Sequence, residues 1–147
     1  MKKTVALLLT LILLFSLCAC SFAGVEITVT DGVVHVNSTL PQKVTLVGDE
    51  DKEIENREFY EKLMNAIDGK SAEAADLPEG HILNCECEET YILRISGNYP
   101  YGYYLTLHNN GIDISQFCKF RKCMDLLGFV EVDADSLREL VEMLNQK

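Results

Sequence analysis

Residues 81–108 read HILNCECEETYILRISGNYPYGYYLTLH. Leu83, Cys85, Cys87, Tyr91, Leu93 and Ile95 hold the odd positions, while Asn84, Glu86, Glu88, Arg94 and Ser96 hold most of the even ones. That is the period of two expected of a half-buried strand, carried across a bulge near Glu89. After Gly97-Asn98-Tyr99-Pro100-Tyr101-Gly102 the chain returns with Tyr103, Leu105 and Leu107 alternating. Asn110-Gly111 then reads as a type I′ turn, which pairs Leu107 with Ile114 and His108 with Asp113. An antiparallel sheet centred on residues 81–108 is the expectation.

Toward the N-terminus, residues 25–37 (VEITVTDGVVHVN) alternate on either side of Asp31-Gly32, a second I′ signal. That turn sets Val29 opposite Val34 and Ile27 opposite Val36, with Val25 on the same apolar face. Glu26, Thr28, His35 and Asn37 fall on the other side, so His35 is expected in solvent. Residues 43–48 and 52–55 predict another hairpin, across Asp49-Glu50-Asp51. This acidic trio is no calcium loop. Counting from Asp49, the sixth position is Ile54 where a glycine is needed, and the twelfth is Tyr60 where a bidentate glutamate is needed. Asn56 caps a helix extending to Asp68, with Phe59, Leu63, Ala66 and Ile67 on one face and Gly69 as its stop. Residues 70–80 are small and polar and end in Pro and Gly, which predicts the longest loop.

Toward the C-terminus, Ser115 can cap a helix from Gln116 to Leu127, in which Phe117, Phe120, Met124 and Leu127 share a face before Gly128. Phe129 to Val132 is a brief strand or extended link. Asp133 caps a last helix, Ala134 to Gln146, with Leu137, Leu140, Val141 and Leu144 at i, i+3, i+4 and i+7. The fold class is therefore α+β: an antiparallel sheet built from hairpins, with two to three helices packed on one face.

Residues 1–20 read MKKTVALLLTLILLFSLCAC. Lys2 and Lys3 precede an uncharged apolar run from Val5 to Leu17, and Leu17-Cys18-Ala19 leads to Cys20. The run is shorter than the roughly 20 residues a transmembrane helix needs, and no basic stop-transfer residues follow it. The pattern resembles the lipobox signal of bacterial lipoproteins, with Cys20 at the lipidated position and Cys18 an unusual second lipobox residue. The resemblance implies cleavage after Ala19 and a diacylglyceryl thioether on Cys20, so that the bilayer is the first partner of the mature chain. The expected organisation is a signal at 1–19, the lipidated Cys and a short tether at 20–24, and one domain at 25–147 on the extracytoplasmic face of the cell membrane. In its layout of hairpins, a C-x-C strand and an acid-capped terminal helix, the mature part resembles the small exported lipoproteins of Gram-positive bacteria.

The chain has 13 Lys and Arg against 23 Asp and Glu. Removing Lys2 and Lys3 leaves 11 against 23, a net charge of −12. Nucleic-acid binding needs the opposite field and is not expected. A mature length of this order suits one core.

The reactive side chains define the remaining alternatives. Cys85, Cys87, Cys118 and Cys123 are disulfide candidates in an exported domain. Cys85 and Cys87 share a strand face and bond each other only with strain. Cys118 and Cys123, five apart on the expected helix, would point about 140° apart. Cys85 and Cys87 could instead hold a soft metal with an imidazole, but the sheet register sends His108 to the opposite face. His108 with Asp113 is the one His/carboxylate pair the register supplies; it lacks a placed nucleophile, so a small hydrolase is the weakest alternative. Tyr99, Tyr101, Tyr103 and Tyr104 offer ring faces to a ligand. Lys119-Phe120-Arg121-Lys122, the one basic cluster, solvates its helix or meets lipid headgroups. The expected function is a non-enzymatic, membrane-anchored binding or assembly module with no cofactor and with room for a protein partner.

Overall fold

The computed structural model describes residues 24–38, 42–73, 91–98 and 100–146. The leader, Cys20, Cys85, Cys87 and Tyr99, together with the strand expected at 81–90, lie outside the described residues. In chain order the elements are β1 (Glu26–Thr30), β2 (Val33–Asn37), β3 (Val44–Val47), β4 (Lys52–Ile54), α1 (Arg57–Ile67), β5 (Ala72–Glu73), β6 (Tyr91–Ser96), β7 (Tyr101–Leu107), β8 (Gly111–Cys118), β9 (Cys123–Glu131) and α2 (Ala134–Asn145). The strands β1 and β2 form a separate two-stranded sheet. The other seven are ordered β4-β3-β6-β7-β8-β9-β5, every pair antiparallel.

The first hairpin has the register that its turn chemistry predicts: Ile27 opposes Val36 and Val29 opposes Val34. Asp31 and Gly32 both sit at positive φ, 53° and 72°, as a type I′ turn requires. Thr28 and His35 pair on the exposed side. The second hairpin closes across Asp49-Glu50-Asp51 with Val44 opposite Ile54. Asp51 accepts a hydrogen bond from Arg94 at 2.9 Å, so one acid of this turn is tied to the sheet.

Both capped helices form. The Asn56 side chain accepts from the Phe59 N–H at 3.1 Å, and the Asp133 carboxylate accepts from the Ser136 N–H at 2.9 Å and from its hydroxyl at 2.7 Å. Each satisfies donors that the first helical turn would otherwise leave open. Phe59, Leu63 and Ile67 of α1 and Leu137, Leu140 and Leu144 of α2 enter one buried cluster. Val25, Ile27 and Val34 join it from the small hairpin, and Leu93, Ile95, Tyr103, Leu105, Leu107, Ile112, Ile114 and Val130 join it from alternating sheet positions. Lys62 links the two helices through Glu139 at 2.8 Å.

The helix expected from Gln116 to Leu127 does not exist. These residues form the end of β8, a four-residue turn at 119–122, and the start of β9. Phe117 opposes Met124 and Cys118 opposes Cys123. The spacing of Phe117, Phe120, Met124 and Leu127 imitates a helical stripe because two irregularities interrupt the strand period. Phe120 sits in the turn, and a bulge lets Ile114 pair with Gly128 and Ser115 with Leu126, so that Leu127 is the extra residue and packs against the core. Extending β8 and β9 satisfies two long rows of backbone groups against neighbouring strands, which a surface helix could not offer to β7.

The turn after β7 also differs from expectation. Leu107 pairs with Ile112 and Thr106 with Asp113, so Asn109-Asn110 form the loop and Gly111 is the first strand residue. The His108 N–H donates to the Gly111 carbonyl at 2.8 Å. Gly111 is needed there for close packing: a Cβ would collide with the Val130 carbonyl oxygen and the Phe129 ring.

Candidate functional site

Because each hairpin reverses the chain, the main sheet has two ends with different side chains. At one end lie the Asn109-Asn110 loop and the pair His108–Asp113. At the other lie Gly97-Asn98, Pro100-Tyr101, the 119–122 turn and the entry of the chain at Gly24.

The first end carries the His/carboxylate pair. His108 Nε2 is 2.6 Å from Asp113 Oδ2, although the two are offset diagonally and are not direct partners. The His108 ring also sits 6.4 Å from that of Phe129, tilted by 56°. Strand pairing places Ile92, Thr106, Asp113 and Phe129 in one row and Arg94, Tyr104, Ser115 and Leu126 in the next. Ser115 stands two residues from Asp113 on the same strand, about 7 Å away by strand rise. The pair is an orienting contact at the sheet surface, with no nucleophile joined to it among the described residues.

Of the tyrosines, Tyr103 is 1% exposed, its ring is in the core, and its hydroxyl accepts from Gln116 at 3.2 Å, so it is not available to a ligand. Tyr104, on the other face, is half-buried opposite Arg94. Tyr101 is exposed at the second end. The residues expected to act as one aromatic surface are thus divided between two faces by strand alternation.

The second end holds the thiols. The expectation that Cys118 and Cys123 point apart on a helix is overturned, because they are direct cross-strand partners on either side of the turn. Directly opposed residues have Cα atoms about 4.5–5.5 Å apart, inside the range a disulfide spans. Both are free thiols, Cys118 buried and Cys123 half-buried. Backbone N–H donation from Arg121, the largest effect, together with donation from its guanidinium and from the Phe120 N–H, holds the Cys118 thiol below the ordinary thiol range. Among the described residues no group of three or more His, Cys, Asp or Glu is placed to hold a metal ion.

Among the described residues, one groove lies between α1 and the start of α2 and another beside Asn56 and Tyr60, each about 260 Å³. Both fall below the roughly 300–1,000 Å³ of small-molecule sites. The molecule belongs structurally to the α+β class, mainly antiparallel sheet, with two helices among the described residues. No protein-family model matches the chain, and no curated protein or solved structure matches it either.

Proposed function

We propose that the chain is an extracytoplasmic lipoprotein, held at the cell membrane through a diacylglyceryl group on Cys20, and that its folded part is a non-enzymatic binding or assembly module. One observation carries the reading. Gly24, only four residues after Cys20, is already bonded into the fold, its N–H donating to Asn98 Oδ1 at 3.1 Å, and Val25 beside it is fully buried. Four residues reach at most about 14 Å, so lipid on Cys20 would hold the domain against the bilayer with little slack. A diacyl anchor supplies the two chains that stable attachment requires. The helices and the small hairpin then lie on the face formed by Leu93, Leu105 and Ile114, and the end bearing His108 and Asp113 points away from the membrane, toward exported partners.

Mass spectrometry of the native product tests this reading. The expected species begins at a diacylglyceryl-modified Cys20; retention of Met1, or an unmodified thiol at residue 20, overturns it. Crosslinking in native membranes followed by pull-down then identifies what the module retains.

A second reading is favoured by the opposed thiols. In it, thiol chemistry falls to Cys118 and Cys123; Cys85 and Cys87 lie outside the described residues. The Cys118 thiolate attacks a partner disulfide and releases one sulfur as a thiolate. Cys123 then gives up its proton, attacks the Cys118 sulfur and releases the second. The domain gains one disulfide and the partner is reduced to two thiols.

A further inference from the structure

The large apolar side chains exposed among the described residues are Phe120 at 70%, Met124 at 43% and Tyr101 at 37%. All three sit at one end of the sheet. Tyr101 begins β7 and pairs with Cys118, the last residue of β8; Phe120 is in the 119–122 turn; Met124 is the second residue of β9. The turn is tied to the neighbouring loop by the Lys119 N–H, which donates to the Pro100 carbonyl at 3.0 Å.

This is also the end at which the chain enters the fold. Val25 bridges Gly97, the Asn98 N–H donates to the Val25 carbonyl at 3.1 Å, and the Gly24 N–H returns to the Asn98 side chain. Two to three strand spacings separate Gly97 from the 119–122 turn, about 12 Å across the sheet. The exposed aromatic tip and the residue four positions after Cys20 therefore lie at the same end of the sheet.

Charge points the same way. Lys119, Arg121 and Lys122 are all exposed and flank Phe120, in a chain with 13 basic and 23 acidic residues. An acidic body tethered within about 14 Å of an anionic surface lies within one or two Debye lengths of it and is repelled. Turning the basic tip toward the surface is the orientation that reverses the local sign, at about fivefold in partitioning for each Lys or Arg brought near anionic lipid. Basic residues around an exposed aromatic are the chemistry of a headgroup-level contact, with the ring at the acyl boundary and the charges among the phosphates.

We propose that the hairpin tip Lys119-Phe120-Arg121-Lys122, with Tyr101 and Met124 beside it, docks on the anionic lipid surface of the membrane and fixes the domain end-on. This rests on the anchoring of Cys20 and adds a second contact to it. The lipid chains hold the molecule at the bilayer, and the tip sets its orientation.

The chain contains no tryptophan, so Phe120→Trp provides a single reporter at the tip. The product purified from host membranes is reconstituted into phosphatidylcholine vesicles with and without phosphatidylglycerol, with bromine on the lipid tails. Expected are a blue-shifted emission and bromine quenching that depend on phosphatidylglycerol, are reduced at high salt, and disappear when Lys119, Arg121 and Lys122 are all changed to Glu. Asn109→Trp, at the far end of the sheet, should stay unquenched. Flotation of the vesicles reports the anchor separately. Protein that floats with an unquenched Trp at 120 overturns the docked tip while leaving the anchor intact. Protein that fails to float at high salt refutes the anchoring; quenching of the Trp at 120 in anionic vesicles at low ionic strength then still supports the tip, and its absence overturns it.

Discussion

Cys118 faces Cys123 directly across β8 and β9, and the guanidinium of Arg121, in the turn between them, donates to the Cys118 sulfur. Mild oxidation should therefore join these two before either reaches another cysteine. Peptide mapping by mass spectrometry checks this. In the presence of glutathione disulfide, Cys123→Ser should accumulate a mixed disulfide on Cys118 that the unmodified chain resolves. A Cys118 that takes up no glutathione in either protein would remove the thiol reading.

The same contacts predict a pH dependence. Arg121→Ala removes the guanidinium but keeps the backbone donors, so the Cys118 thiol should titrate at higher pH than in the parent, still below an ordinary thiol. The ultraviolet absorbance of the thiolate, taken as a difference from Cys118→Ser, measures it. An unchanged midpoint would mean that the guanidinium does not act on this sulfur.

Gly111→Ala tests the packing that displaced the expected turn. A methyl group there meets the Val130 carbonyl and the Phe129 ring, and overpacking of this kind costs about 1–3 kcal/mol. Denaturant unfolding should show a lower midpoint at unchanged slope. Asn110→Ala, in the exposed loop, should change stability far less. Equal effects from the two would indicate that residue 111 acts as a turn glycine.

Asn56→Ala should cost about 1 kcal/mol through loss of the bond to the Phe59 N–H. At the other helix the effect is tied to acid. Hydrogen bonds from the backbone N–H and the hydroxyl of Ser136 hold the Asp133 carboxyl below its ordinary value of 3.8. Its contribution to stability is therefore complete above that value and is lost as pH falls through the lowered folded one. Asp133→Asn keeps an acceptor without the charge, so its stability should change less than the parent's across that acid range. Thermal denaturation at stepped pH compares them.

Much of the architecture was legible where local chemistry has a single solution. Asp31-Gly32 suits the positive φ of a I′ turn, and the valines on either side alternate without interruption, so register followed from the turn. Asn56 and Asp133 stand before helical stripes and cap them. The alternation of Leu93 and Ile95 against Leu105 and Leu107 placed β6 and β7 together at the centre.

The errors lie where spacing and backbone disagree. Gly111 carries the letter of a turn but serves a ring packed against it from β9, a contact far away in sequence. The 116–127 stretch lacks a turn glycine: Lys122 takes a φ of 50° without one. A bulge at Leu127 then shifts the last apolar residue out of phase. Any single reading of that period favours a helix.

The sequence by itself determined the acidic balance, the capped helices, the first hairpin and the leader-like run before Cys20, because each depends on charge or on contacts a few residues apart. Only the tertiary structure decided that 116–127 pairs as strands, that Tyr103 is core while Tyr101 is surface, that Cys118 and Cys123 are cross-strand partners, and that the Phe120 tip is at the same end of the sheet as Gly24. Each of these depends on which strand lies next to which: β8 extends because β7 offers it an edge whose backbone groups require partners, and β9 extends along β8 in turn.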